Sequence, residues 1–356
     1  MKTAVVVLNW NGREHLEKYL PHLIENSNVQ NVELILADNG SSDDSISFVE
    51  SEFPQIRIIR LGRNYGFAGG YNKALQQVDA DAFCILNSDV RVFDGWLEKP
   101  LRIIGTDSNI AAVQPKILSD RDWSRFEHAG AAGGYIDKYG YPFCRGRIMN
   151  AIEFDRGQFN SNVDIFWASG ACLFIKSKAF WECGGFDADY FAHMEEIDLC
   201  WKLKNRGYRI VFCHKSKVFH YGGATLDYNN PRKIYLNFRN SLWTLYKNYT
   251  GNCLRCIMIR RMIIDTAAIV KFFISFQFRN AFAVIKAHVD YYRSKPALRK
   301  KRRELMSHVK NTIHHEMLNH SIVKHFFLYG HKTFDDLKQF RTTVLRKSRN
   351  NHRLSD

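Results

Sequence analysis

The stretch Phe83-Cys84-Ile85-Leu86-Asn87-Ser88-Asp89-Val90 is an apolar run that stops at a short polar cluster with a carboxylate. Its length and composition predict a buried strand. Asp89 then lies at the carboxyl end of that strand, where open α/β sheets place their ligands. We therefore consider Asp89 a candidate ligand for a divalent cation that also binds a nucleotide diphosphate, since such ions bridge carboxylates to phosphates. An ordinary turn is the alternative, because Asn, Ser and Asp are common in turns.

Apolar runs alternate with helical patterns through the first half of the chain, which predicts an α/β fold with a mostly parallel sheet and helices on both faces. The predicted elements are strands at 3–8, 32–37, 56–60 and 82–87, and helices at 13–26, 42–53 and 67–77. A polar cluster follows each strand, at 9–12, 38–43, 62–66 and 87–89. Because parallel strands end at a common edge, we expect one edge to carry the site.

The middle of the chain has a weaker pattern. Residues 127–149 are rich in Gly and aromatic residues, and they indicate either a substrate-covering loop or a pair of irregular strands. A helix is predicted from 194 to 205, ended by Gly207, with strands at 209–213 and 217–220. From 234 onward the pattern is helical, and Pro296 is expected to interrupt a basic helix.

Basic residues are concentrated in the last third of the 356-residue chain. Residues 1–250 hold 29 Lys and Arg against 29 Asp and Glu, whereas residues 251–356 hold 22 against 7. This asymmetry favours a neutral catalytic body with a basic appendage that contacts a membrane surface or nucleic acid. Helices that pack on the body with a solvated charged face are the third reading. We expect an anionic membrane surface and no nucleic acid, because no nucleic-acid recognition motif is present.

The sequence predicts no membrane-spanning segment, and it does not favour a zinc or redox role for its cysteines. The first eight residues predict a strand and not a signal peptide, and charges interrupt the apolar region 257–285. The scattered cysteines suit reduced core thiols, and the single Cys253-x-x-Cys256 lacks the second ligand pair of a zinc site. No G-x-G-x-x-G or G-x-x-x-x-G-K-[ST] motif occurs, which argues against a dinucleotide oxidoreductase and a P-loop ATPase.

Two further clusters can be interpreted from the residues alone. Asp38 ends the second strand, where a carboxylate can accept hydrogen bonds from a ribose hydroxyl or a base, or can serve as an acid at the next helix start. Gly66 opens the helix that includes Gly69 and Gly70. Free N–H groups at such a helix start favour an anion, although close packing would equally require small residues.

These clusters together resemble the family 2 glycosyltransferases, in particular their bacterial rhamnosyltransferase-like branch. The matching segments, in chain order, are Val6–Gly12, Asp38–Asp43, Arg63–Gly70, Leu86–Val90, Ser169–Ala171, Gly184–Asp187 and Glu195–Trp201. The resemblance implies a GT-A fold and inverting transfer of a sugar from a nucleotide-activated donor.

The resemblance also implies roles for single residues. Asp38 would contact the base or ribose and Asn64 the nucleotide pocket, with Asn9, Gly66 and the pair Asn87 and Ser88 among the other donor-binding positions. Asp89 stands at the last acid of the family's D-x-D-like signature, in which Asn87 replaces the first. His220 resembles the family's late histidine near the metal or diphosphate. Mg²⁺ or Mn²⁺ is the implied cofactor, and imidazole would favour Mn²⁺ slightly.

Glu195 and Glu196 fall where the family usually has Glu-Asp, whose second acid is the general base. Glu196 is therefore the expected base, with Glu195 and Asp198 as alternatives. On a helix, Glu195 and Asp198 share a face and Glu196 points about 100° away. Arg239 resembles an arginine near the diphosphate in the family, and an ordinary surface helix arginine is the other reading.

The sequence thus predicts a GT-A domain at 1–225 and a basic, helical region at 226–356. The expected activity is inverting transfer of a hexosyl or deoxyhexosyl unit, conceivably rhamnosyl, from a UDP- or dTDP-sugar to a glycan or lipid-linked acceptor. We expect the enzyme to be cytoplasmic and peripheral at the inner face of the cell membrane. A catalytically silent nucleotide-sugar-binding subunit and a nucleotidyltransferase are the alternatives.

Overall fold

The computed structural model describes residues 1–222 and 230–352, with side chains described up to 348. Its strands are β1 (Thr3–Asn9), β2 (Val32–Asp38), β3 (Arg57–Arg60), β4 (Ala82–Asn87), β5 (Val90–Val92), β6 (Ile110–Ser119), β7 (Gly134–Asp137), β8 (Pro142–Cys144), β9 (Arg147–Ile148), β10 (Ala151–Ile152), β11 (Val163–Asp164), β12 (Cys172–Lys176), β13 (Arg209–His220) and β14 (Met317–Leu318). Its helices are α1 (Arg13–Glu25), α2 (Ser45–Glu52), α3 (Gly66–Leu75), α4 (Glu98–Thr106), α5 (Ser177–Glu182), α6 (Glu195–Asn205), α7 (Pro231–Asn248), α8 (Leu254–Ile274), α9 (Phe278–Ser307), α10 (Ile322–Leu328) and α11 (Lys338–His352).

The main sheet confirms the predicted α/β class. Within the described residues it has nine strands, in the order β11-β13-β6-β12-β4-β1-β2-β3, with β5 paired to β13. The first four strands of the chain, β1 to β4, are parallel to one another, and β13 is parallel to β6. Between these two parallel groups, β12 is antiparallel to β4 and β6. The four predicted strands of the first half lie where the apolar runs indicated.

The core lies on both faces of this sheet. In β1, Ala4 and Val6 belong to one buried layer, and Val5 and Val7 belong to the other. Side chains alternate across a strand, so a strand covered on both sides reads as a continuous apolar run. Burial of each such valine contributes about 1.5–3 kcal/mol to stability. This core fixes the strand ends that carry the site.

A second, smaller sheet takes three of its strands from the Gly-rich passage 127–149. It has the order β10-β9-β8-β7-β14, and its fifth strand, β14, comes from the carboxyl-terminal region. Met317 and Leu318 of β14 pair in parallel with Ile136 and Asp137 of β7. Of the two readings of this passage, the structure therefore shows irregular strands, and it ties them to the carboxyl-terminal third.

The carboxyl-terminal region is mainly helical, with one difference from prediction. The expected break at Pro296 is wrong, because α9 runs through this residue from Phe278 to Ser307. Pro296 is exposed, and it removes one backbone hydrogen bond from a helix that packs against α7 along its length. The predicted strands at 209–213 and 217–220 are one strand, β13, with an irregularity between Cys213 and Lys217.

The domain boundary predicted at 225/226 lies outside the described residues. Six cysteines are buried free thiols, as expected, and Cys253 and Cys256 are joined by a disulfide at the start of α8. Within 1–222 and 230–352, every helix is too short or too polar to cross a bilayer.

Candidate active site

The carboxyl ends of β1, β2 and β4 form one edge, as the sequence predicts. Asn9 is in register with Asp38 across β1 and β2, and Leu8 is in register with Asn87 across β1 and β4. Asn9 is fully buried, and its Nδ2 donates to Ser41 Oγ at 3.1 Å. Its Oδ1 atom is enclosed and has no hydrogen-bond partner in the described part of the chain. The parallel register thus brings three predicted donor-binding side chains together.

Asp38 orders the loop after β2. Its buried carboxylate accepts hydrogen bonds from the backbone N–H groups of Gly40 (3.3 Å) and Ser41 (3.2 Å). These bonds fix the carboxylate at the strand end, so any ligand would meet a preoriented group. The contact with a base or ribose stays a prediction.

Asn39 is a polar residue of this edge that the sequence analysis did not single out. Its buried side chain donates to Asn64 Oδ1 (3.2 Å) and to the Gly66 carbonyl (3.0 Å), and accepts from the Tyr65 N–H (3.0 Å). Asn39 therefore holds the loop that contains Asn64. Its position directly after Asp38 in a strand-end cluster was the available signal.

The amino end of α3 differs from the expected anion site. The N–H of Gly66 donates to Asn64 Oδ1 at 2.7 Å, and those of Phe67 and Ala68 donate to the Phe191 carbonyl at 2.7 and 3.3 Å. These amides are therefore already paired. Gly66 has φ +72°, and a Cβ there would lie 2.5 Å from the Phe191 oxygen. Close packing is the role that the structure gives this glycine.

Asp89 lies in a buried row of ionisable groups with His220 and Glu127. Asp89 Oδ1 is 3.1 Å from His220 Nε2, and His220 Nδ1 is 3.5 Å from Glu127 Oε1. Burial alone would lower the pKa of His220, but the two carboxylates outweigh it and raise that pKa well above its usual range. Burial likewise opposes ionisation of both acids, yet His220 keeps the pKa of Asp89 and of Glu127 below the usual values.

Glu127 was missed by the sequence analysis, because no local pattern in the Gly-rich passage distinguishes it. The other predicted residues at this place are near it in space. Asn87 Nδ2 lies 3.4 Å from His220 Nε2, and Asn87 and Ser88 are both half-buried beside Asp89. The Gly222 N–H donates to Asp89 Oδ2 at 3.2 Å.

The donor chemistry of this row fits a divalent cation that is also held by a ligand. Asp89 would supply a carboxylate, and His220 would supply an imidazole nitrogen once the cation displaces its proton. Glu127 faces the other imidazole nitrogen, as second carboxylates do beside metal-bound histidines. Across the residues that the structure describes, no group of three or more His, Cys, Asp or Glu side chains could hold a metal ion. Further ligands would therefore come from donor phosphates.

The three acids of α6 have different surroundings. Glu195 and Asp198 are buried on one face, whereas Glu196 is half-buried, as the helical spacing predicts. The Oε2 atom of Glu196 is enclosed without a hydrogen-bond partner among described residues, and burial raises the pKa of this carboxyl to about 7. An enclosed carboxylate with a pKa near neutrality suits a general base. Its Cβ is 3.9 Å from where a Cβ of Gly170 would lie.

Asp198 is committed to structural contacts. Its fully buried carboxylate accepts from Asn248 Nδ2 at 2.7 Å and from Tyr190 Oη at 3.2 Å, and it lies 3.0 Å from Lys247 Nζ. These partners leave Asp198 poorly placed to accept a substrate proton. Burial and the neighbouring Glu196 raise the pKa of Glu195 well above its usual range, which favours its neutral form.

The loop before α6 has an unusual backbone. Phe191, His193 and Met194 all have positive φ, between 66° and 72°. The Asn240 side chain of α7 donates to the carbonyls of Ala192 (2.9 Å) and His193 (2.7 Å), and also to that of Tyr190. Such conformations cost about 1–3 kcal/mol each and persist where the surroundings enforce them.

Arg239 also holds the segment that leads into this loop. Its Nη2 donates to the carbonyls of Asp189 and Tyr190, both at 3.1 Å, and its Nε donates to Asn240 Oδ1 at 2.8 Å. The guanidinium also lies over the Trp243 ring, 4.4 Å from its centre. A loop-holding role is thus visible for Arg239, and the predicted phosphate contact stays a prediction.

A mixed, mostly parallel α/β sheet with acids and a histidine at its strand ends is typical of the class of nucleotide-sugar transferase folds known as GT-A. The family model described as "Glycosyl transferase family 2" matches residues 4–184, just over half of the chain. The chain belongs to this family.

Named relatives point to one branch of it. The chain is 28% identical over 233 residues to the N-acetylglucosaminyl-diphospho-decaprenol L-rhamnosyltransferase of Mycobacterium tuberculosis, covering 61% of this chain and 75% of the relative. It is 23% identical over 214 residues to the rhamnosyltransferase WbbL of Escherichia coli, covering 58% and 79%. The predicted rhamnosyltransferase-like resemblance is thereby confirmed.

A solved structure supports the fold assignment. The crystal structure of GalNAc-T7 with UDP, GalNAc and Mn²⁺ matches with a TM-score of 0.54 at 14% identity. The match covers 70% of this chain and 48% of the GalNAc-T7 chain. At this identity the likeness shows the fold, and the predicted GT-A class is confirmed.

Proposed function

We propose that this family 2 glycosyltransferase transfers a deoxyhexosyl or hexosyl unit, with rhamnosyl as the first candidate, from a dTDP- or UDP-sugar to a lipid-linked glycan acceptor. The single observation that carries the proposal is Glu196, an enclosed carboxyl with a pKa of about 7 in the same fold as a buried strand-end carboxylate, Asp89. The named rhamnosyltransferase relatives support the choice of sugar, and the decaprenol-linked substrate in one name supports the acceptor class.

In the proposed reaction Glu196 is the general base. It takes the proton of the acceptor hydroxyl while the acceptor oxygen forms a bond to the anomeric carbon of the donor sugar. The bond between that carbon and the diphosphate oxygen breaks, and its electron pair leaves with the nucleoside diphosphate. Attack opposite the leaving group inverts the anomeric configuration. Base catalysis of this kind contributes about 10²–10⁴-fold to a rate.

The donor is held at the strand-end edge in this proposal. The nucleoside contacts Asp38, Asn9 and Asn64. The diphosphate lies next to Asn87 and Ser88, and Arg239 is a further candidate for a phosphate contact. Asp89 and His220 would hold Mg²⁺ or Mn²⁺, which would supply positive charge to stabilise the leaving diphosphate. We place the reaction at the inner face of the cell membrane, where a lipid-linked acceptor is accessible.

A panel of nucleotide sugars tests the proposal. We expect dTDP- or UDP-sugars to raise the melting temperature of the purified chain in the presence of Mn²⁺, and one of them to release nucleoside diphosphate with a lipid-linked acceptor. Release of pyrophosphate would indicate a nucleotidyltransferase instead. Donor binding without turnover on every acceptor tried would support a silent binding subunit.

A further inference from the structure

The basic run at the end of α9 contacts the catalytic body. Lys301 Nζ lies 2.6 Å from Asp187 Oδ1 and 2.8 Å from Asp189 Oδ2, and Arg302 Nη1 donates to the Tyr246 carbonyl at 2.9 Å. These partners account for part of the charge that the sequence analysis assigned to a membrane surface. The packing reading therefore applies to this end of the helix.

The opposite end of α9 has a different surface. Helices α8 and α9 form an antiparallel hairpin, in which Asp265 is near His288 and Phe273 is near Phe282. At the turn of the hairpin, Ile274 is 73% exposed and Phe276 is 81% exposed. Phe273, Phe278 and Phe282 are exposed beside them. We call the residues 273–282 the hairpin tip.

Charge around the hairpin tip has one sign. The segment 266–289 contains Lys271, Arg279 and Lys286, all exposed, and no Asp or Glu. A second exposed apolar group, 327–329 at the end of α10, is adjacent, because Lys271 Nζ lies 5.9 Å from the Phe327 ring centre. Exposed apolar residues with nearby cations match the interfacial zone of an anionic bilayer. Aromatic side chains enter the headgroup region of such a bilayer, and cations contact its phosphates.

The base of the hairpin is fixed to the body. Arg261 is buried, pairs with Asp265 at 3.0 Å, and donates to the Tyr139 carbonyl and to Ser241 Oγ. Ile274 follows Arg261 by thirteen residues, or roughly 20 Å of helix. The tip is thus held at the end of a rigid support, so it can contact an external surface without reordering the body.

We propose that the hairpin tip is the site at which this protein docks on an anionic lipid bilayer. This inference extends the proposed function, because it specifies where the enzyme meets the membrane that carries a lipid-linked acceptor. A second copy of the chain is less well matched, since two tips would bring like charges together. Docking here is interfacial, in keeping with helices that are too short or too polar to span within the described residues.

Sedimentation of the full chain with vesicles tests this proposal, without donor or acceptor. Vesicles of phosphatidylcholine with about one-third phosphatidylglycerol serve as the anionic probe, and pure phosphatidylcholine vesicles serve as the neutral one. We expect the double variant Ile274→Ser, Phe276→Ser to bind anionic vesicles at least about tenfold more weakly, because two exposed apolar side chains are lost. Arg279→Gln with Lys286→Gln should weaken anionic binding and leave neutral binding unchanged.

Ile313→Ser is the matched control, since Ile313 is equally exposed outside the tip. Equal binding by the tip variant and the control would overturn the proposal, as would absence of binding by the wild-type chain. Self-association that the tip variant abolishes, without vesicle binding, would instead assign the tip to a second copy. Transfer to a water-soluble acceptor should survive in the tip variant, so failure of docking and failure of the proposed activity are distinguishable.

Discussion

Glu196 is half-buried, whereas Glu195 and Asp198 of the same helix are buried, and its Oε2 atom has no hydrogen-bond partner among the described residues. We expect Glu196→Gln to lower the transfer rate by about 10²-fold or more, because the amide cannot accept the acceptor proton. Nucleotide affinity should stay within about twofold, since the proposed role of this residue concerns the acceptor and not the nucleotide. Single-turnover assays and calorimetry measure the two effects. Glu195→Gln is the matched control, and greater loss in that variant would move the base to Glu195.

The pH dependence of transfer follows from the same carboxyl. Burial raises the pKa of Glu196 to about 7, so the basic form is scarce at pH 6 and predominant at pH 8. Transfer at saturating substrate should therefore rise about tenfold across this interval and then level off. A profile that is flat from pH 6 to 8, with unchanged donor affinity, would contradict this assignment.

Glu127 provides a second test at single-residue resolution. Glu127→Gln should weaken Mn²⁺-dependent nucleotide binding by about 10–100-fold, because the buried carboxylate that faces His220 Nδ1 is lost. Calorimetry with and without Mn²⁺ separates this effect from nucleotide binding alone. Asp122→Asn, an exposed acid nearby in sequence, should change neither value. Equal affinities in all three proteins would remove Glu127 from the site.

The candidate site residues that could be predicted are those in strand-end clusters and on the amino-terminal turn of α6. Asp38, Asp89 and Glu196 belong to short local patterns that sequence alone displays. Glu127 reaches the site from a passage without a period, through a tertiary contact. The pairing of the α3 amides with Phe191 likewise depends on a loop over a hundred residues away, which no local rule reports.

At the scale of elements, the loop 191–194 depends on one side chain of α7. Asn240→Ala removes the hydrogen bonds to three loop carbonyls, and we expect a loss of about 2 kcal/mol in the free energy of unfolding. Urea denaturation measures it. Asn237→Ala on the same helix is the control and should change stability by less than about 0.5 kcal/mol. The transfer rate should fall by more than the loss of folded protein explains, because the loop leads directly into the helix turn that contains Glu196.

Elements were predictable where burial is two-sided and the chain is locally periodic. β1 to β4 appear as continuous apolar runs, so their positions were clear. The small sheet was not predictable as such, because β14 pairs with β7 across about half of the chain and each strand is very short. Pro296 was misjudged because a long helix with tertiary support can accommodate one exposed proline.

At the scale of the molecule, the buried pair of Arg261 and Asp265 on α8 connects the helical region to the body, because Arg261 donates to the Tyr139 carbonyl and Asp265 accepts from Tyr141 Oη. Arg261→Ala should lower the free energy of unfolding by about 3–5 kcal/mol, since Asp265 would stay buried without its main cationic partner. Arg260→Ala, one residue away and exposed, is the control. Thermal unfolding monitored by calorimetry gives both values, and equal stabilities would mean that the pair does not hold the two parts together.

The charge asymmetry of the chain predicted a basic appendage but not how its charge is divided. Lys301 and Arg302 serve contacts within the molecule, and Lys286 Nζ lies 4.9 Å from the ring centre of Tyr235 on α7. Lys271 and Arg279, in contrast, are exposed at the apolar hairpin tip. Composition gives the net charge of the region. The geometry of the hairpin determines which cations make contacts within the molecule and which face an external surface.

The backbone of residues 191–194 has a practical consequence for anyone engineering a heat-tolerant version of this enzyme. Glycine adopts positive φ without a steric penalty, so Met194→Gly would relieve strain that the native chain retains. The same change would make the backbone before α6 more flexible, so the acidic side chains of that helix would be held less firmly in their orientation. Stabilising substitutions are therefore better placed on the opposite side of the sheet, since the fixed backbone of this loop positions the proposed catalytic acid.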